Sequence, residues 1–152
     1  MVVKRRNYLR LAGIIAGIIA VCYLCYRYNT LDITKVLELG NDFHYNTISA
    51  SALIGGFLFT GISILISALS NERIKRLWDN HYLDNLYHAA FIGMSANVIT
   101  IIDALIILCI NVSEKATRIL IYIEIALLFT SIVFIIWCII QLVSVIKRLK
   151  DS

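Results

Sequence analysis

Proline is absent from the chain, although an average composition would place several in this length. Carriers that unwind helices at mid-membrane mark the break with proline and glycine. Glycines occur here, but without a comparable interruption, which argues against alternating-access transport. Charge is also scarce, with Asp, Glu, Lys and Arg making up only 16% of the residues, against about 25% in soluble domains. His44, His81 and His88 have no metal-ligand spacing, and there is no H-E-x-x-H, no G-x-S-x-G and no pair of aspartates on facing segments. The expectation is a protein that is not an enzyme, with no cofactor and no metal.

What the chain does have is apolar surface. Hydrophobic residues make up 60%, concentrated in four blocks at about 9–26, 47–68, 89–110 and 119–146. Each approaches or exceeds the ~18–20 residues that cross ~30 Å of hydrocarbon. The sequence predicts an all-α integral membrane protein, one four-helix bundle over residues 1–152, with no soluble domain of ordinary size. Basic residues orient it. Lys4, Arg5, Arg6 and Arg10, then Arg73, Lys75 and Arg76, then Lys147, Arg148 and Lys150 fall on one side, leaving Arg27, Lys35, Lys115 and Arg118 on the other. The positive-inside rule puts both termini and the middle loop in the cytoplasm, with the protein multi-pass in the inner or plasma membrane. The net charge of +4 reads as topology and contact with membrane lipids rather than direct contact with nucleic acid. A basic start before "LAGIIAGIIAVCYLC" also has the form of a signal peptide; the reading taken is an uncleaved anchor. The C-x-x-C of Cys22 and Cys25, like Cys109 and Cys138, lies in apolar helix and reads as small thiols without a redox role.

Between the blocks, "DITKVLELG" predicts a short helix that Asp32 caps and Gly40 stops, lying at the outer interface. "NVS" at 111–113 matches a glycosylation sequon but abuts a span and reads as chance. "NERIKRLWDNHYLDNLY" spaces Ile74, Leu77, Trp78, Tyr82, Leu86 and Tyr87 helically, predicting an amphipathic helix over about 72–87 that runs into the third span. It is either an interfacial anchor or a docking surface for a soluble cytoplasmic partner, through Arg73, Lys75, Arg76 and Trp78.

Two helical faces stand out. In the second span Ser49, Ala52, Gly56, Thr60, Ser63, Ser67 and Ser70 fall within roughly 80° of arc, a seam on which another helix can pack closely. The first span has a weaker version in Ala12, Gly13, Ala16, Gly17 and Ala20. Small faces on both spans predict a homo-oligomer. In the third span Gly93, Ala96, Asn97, Thr100, Asp103, Ala104 and Asn111 share about 120° of arc. A lone Asp costs about 2.5–3.5 kcal/mol at mid-membrane and should not face lipid. Three arrangements satisfy it: protonated and hydrogen-bonded to another helix, paired with Arg27 or Arg118, or lining a cation-attracting path between subunits together with Asn97, Thr100 and Glu124.

"GGFLFTGISILIS" followed by "NERIKRLWDNHYLDNLYHAAF" resembles small four-span bacterial membrane proteins, some of which accompany antiviral defence genes. The resemblance covers about residues 52–95 and has no catalytic or ligand motif. It implies a membrane effector or sensor acting with a soluble partner. The sequence as a whole suggests a self-assembling protein that alters membrane permeability; the alternative is an anchor or sensor subunit that docks a cytoplasmic protein.

Overall fold

The computed structural model describes residues 2–28, 33–79, 83–110 and 113–151, and every regular element among them is helical. The elements are α1 (Val2–Tyr28), α2 (Ile33–Leu39), α3 (Asn41–Ser67), α4 (Glu72–Asp79), α5 (Asp84–Cys109) and α6 (Glu114–Asp151). A 3-10 turn over Ala68–Ser70 follows α3. His81, Tyr82 and Asn111 lie outside the described residues, as do the side chains of Cys22, Arg73 and Leu77.

Three stretches are long and apolar enough to cross a membrane: Asn41–Ser70, Asp84–Cys109 and Glu114–Lys147. In α1 the apolar part, Ala12–Tyr28, is shorter. The second apolar stretch starts earlier than hydropathy suggests. Asn41, Asp42, His44 and Asn46 are polar enough to read as loop, yet they form the first turns of α3. Gly40 makes the abrupt restart feasible: at φ 55° it takes a conformation that L side chains rarely adopt, and its N–H donates to Leu37 O at 3.1 Å. Asp42 then complements the positive end of the new helix dipole. Of the amphipathic stretch, Glu72–Asp79 form α4 and residues 84–87 belong to α5, while residues 80–82 between them lie outside the described ones. Asn71 opens α4, accepting the Lys75 N–H at 2.9 Å, a position that asparagine favours.

α5 is the central helix, packed between α3 and α6, while α1 lies mainly along α6. Between α1 and the α5–α6 pair runs a groove of about 690 Å³ lined by Ile15, Tyr23, Ile99 and Tyr122. Burial is inverted relative to a soluble protein. Phe59 and Ile64 on α3 are 65% and 66% exposed, whereas Ser51 and Glu124 are 0% exposed. Hydrocarbon is the surrounding that suits this distribution, because polar groups exposed to it would be left unpaired.

Candidate functional site: an enclosed ionisable cluster

The bundle interior divides along its length. Near the end where α3 begins and α5 finishes, the buried polar side chains are His44, Thr47 and Ser51 from α3, Asn97, Thr100 and Asp103 from α5, and Glu124 from α6, with Ala104, Ile121 and Tyr122 buried beside them. Towards the other end the buried side chains include Leu58, Ile62, Leu86, Ala90, Phe134 and Cys138. The two halves meet at Gly93. A Cβ there would lie 2.9 Å from Leu58 Cδ1 and 3.3 Å from Phe134 Cβ, so all three helices close on one another at that level.

His44 holds the polar half together. Its Nδ1 lies 2.7 Å from Glu124 Oε2, buried on both sides; with the carboxyl ionised, the imidazole N–H donates. Asp103, 6% exposed, stands within electrostatic range of both groups. The neighbouring polar side chains mostly turn back to their own helices. Thr47 Oγ1 donates to Phe43 O at 3.0 Å, Asn97 Nδ2 to Gly93 O at 2.8 Å and Thr100 Oγ1 to Ala96 O at 2.8 Å. That leaves acceptors over: Glu124 Oε1, Asp103 Oδ2 and Asn97 Oδ1 are buried without a protein partner, as is Ser51 Oγ. Buried polar atoms without partners are rare and call for a physical reason. No group of three or more His, Cys, Asp or Glu among the described residues could hold a metal ion.

The structure therefore brings Asn97, Thr100, Asp103 and Glu124 together inside one chain. They face α3 and one another rather than the outside. The cations expected to reach Asp103 are engaged elsewhere or exposed: Arg118 donates to Glu114 at 2.9 Å and Arg27 lies on the exposed end of α1. The small-residue seam points the other way. Ser49, Ala52, Gly56, Thr60 and Ser67 are exposed and Ser63 is half-buried, roughly 150° around α3 from the face carrying His44, Ser51 and Leu58. A Cβ on Gly56 would meet nothing within 4 Å. On α4, Lys75 and Arg76 are exposed, but Trp78 is turned to the bundle, half-buried with its ring 6.0 Å from that of Tyr87. Trp78 is thus part of the packing rather than of an open docking face, and Arg73's side chain lies outside the described ones.

Sequence reasoning missed His44, because it sat in a presumed loop. The spacing of His44, Thr47 and Ser51 at i, i+3 and i+7 puts all three on one helical face, and that pattern could have extended the helix back to Asn41. No family model, curated protein or solved structure matches the chain.

Proposed function

We propose that this chain is a four-span membrane protein with its termini and α4 in the cytoplasm, and that it assembles with copies of itself and alters membrane permeability. The observation that carries this reading is the His44–Glu124 pair with Asp103, enclosed in a bundle whose outside is hydrocarbon-like. Ionisable groups at membrane depth are expensive, and they mark ion paths and proton relays. The polar half supplies an entry path within each copy. The Leu58–Gly93–Phe134 contact is its apolar stop, and such constrictions gate by excluding water. α3 carries the seam on one face and His44 and Leu58 on the other, so a neighbour docking on the seam acts directly on the path. A role as the membrane effector of an antiviral defence system rests on the sequence resemblance alone.

The test is ion flux in liposomes holding the reconstituted oligomer. Gly56→Leu leaves the packed interior untouched and obstructs the seam. It is expected to keep wild-type helicity while weakening self-association at least about tenfold, with flux falling in step. A wild-type oligomer whose vesicles stay tight, even with its native partner supplied, would overturn the reading.

A second reading, an anchor that docks a soluble protein, is favoured by the exposed Lys75 and Arg76 on an α4 fixed to the bundle through Trp78. Reversing both charges to Glu is expected to abolish recovery of such a partner in pull-downs while flux is unchanged. Loss of flux with partner recovery intact would count against docking.

A further inference from the structure

The enclosed cluster sets two carboxyls, those of Asp103 and Glu124, against one imidazole, that of His44. Among the described side chains, the helices packed around Asp103 bring no further charged group to the cluster, and the Lys35 side chain on α2 lies outside those described. α3 offers only His44, and α6 offers only Glu124 at that level. On α1, Cys25 stands against the Ile121–Tyr122 pair and Tyr26 against the Tyr122 ring, which lies about 160° around α6 from Glu124. α5 brings no second titratable side chain to the cluster, since Asn97 and Thr100 are neutral. Arg118, the basic residue nearest along α6, is held by Glu114 at the exposed start of that helix.

The hydrogen bonding points the same way. Glu124 Oε1, Asp103 Oδ2 and Asn97 Oδ1 can only accept when the carboxyls are ionised, and none has a donor, although Glu124 and Asn97 are 0% and 1% exposed. One added cation would offset the excess of carboxyl over imidazole and give the Asp103 and Glu124 carboxyls a partner. We propose that the cluster binds one monovalent cation, a proton or an alkali ion, at the Asp103 and Glu124 carboxyls, entering from the end of the bundle where α3 begins. His44 is in the first turn of α3, and Asp103 lies about 9 Å along α5 from its last residue. In the opposite direction Leu58 and Phe134 close on Gly93. Among the described residues no three His, Cys, Asp or Glu side chains are placed to hold a metal ion together, and the cluster's carboxyls number only two. A transition metal or a tightly held divalent ion therefore does not fit. The inference deepens the permeability reading by naming what the path takes up, but the binding itself requires no conduction.

The experiment uses the full chain in detergent, followed by thermal unfolding. A ligand that binds only the folded state stabilises it as its concentration rises. If the proton is the ligand, the wild-type Tm rises by about 5 °C or more on acidification across the neutral range, whatever the salt. If an alkali ion is the ligand, Tm rises comparably at fixed alkaline pH when Na+ or K+ replaces choline. Asp103→Asn keeps the shape and removes the charge, and it is expected to flatten whichever response the wild type shows. Glu124→Gln provides a second neutral variant should the first not fold. A wild-type Tm indifferent to pH and to cation overturns the site, as does a neutral variant that keeps the wild-type response. Flux is read separately. Cation-dependent stability in a protein whose vesicles stay tight retains the site and removes the permeability reading; flux without any such stabilisation does the reverse.

Discussion

Replacing Glu124 with alanine is expected to destabilise the protein by roughly 3–5 kcal/mol, the usual cost of breaking a buried ion pair by removing one partner. Glu124 is fully buried and 2.7 Å from His44 Nδ1. Its loss strands an imidazole in an interior where the neighbouring Thr47 hydroxyl is already bonded to Phe43 O. The informative comparison is the double variant His44→Leu/Glu124→Met, which removes both polar partners at similar volume. Exchanging a whole buried pair for apolar side chains is commonly neutral or stabilising, so the double variant should recover most of the stability lost in the single one. It should nevertheless lose ion flux. Unfolding in mixed detergent micelles measures the first quantity and vesicle flux the second. A double variant as unstable as Glu124→Ala would mean that the pair itself is not what Glu124 contributes.

Gly93→Val should be damaging for a different reason. Even an alanine Cβ would sit 2.9 Å from Leu58 Cδ1 and 3.3 Å from Phe134 Cβ. The Leu58 methyl can swing away, but Phe134 Cβ is fixed close to the α6 backbone. Alanine therefore asks for a shift of a few tenths of an ångström. Valine adds two methyl groups that must push α3 and α6 off α5, and overpacking of this kind costs about 1–3 kcal/mol. Because the same contact is the proposed apolar stop, the molecules that still fold are expected to leak ions faster than wild type. Unfolding and flux assays on one preparation check both halves. Wild-type tightness together with wild-type stability would mean that the helices do not meet closely at this level.

Much of this architecture is legible in periodicity. The helical wheel groups Gly93, Ala96, Asn97, Thr100, Asp103 and Ala104 on one arc, and those are residues that α5 buries. What periodicity does not convey is direction. The seam of α3 and the polar face of α5 look alike as patterns of small and polar residues, yet one faces out and the other in. Deciding between them needs the neighbouring helices, because a serine is comfortable wherever its hydroxyl can reach a carbonyl. Hydropathy also fails at helix ends. His44 lowers the local average and so looks like loop, while its partner Glu124 lies 80 residues away, beyond any local window.

The seam hydroxyls do not wait for a neighbour. Ser49, Thr60, Ser63 and Ser67 each donate to the carbonyl four residues earlier in their own helix, at 2.8–2.9 Å. Alone in a hydrocarbon surrounding, that stripe leaves none of these hydroxyls thirsty. The pairing of copies proposed above would therefore be undone without leaving a raw surface behind.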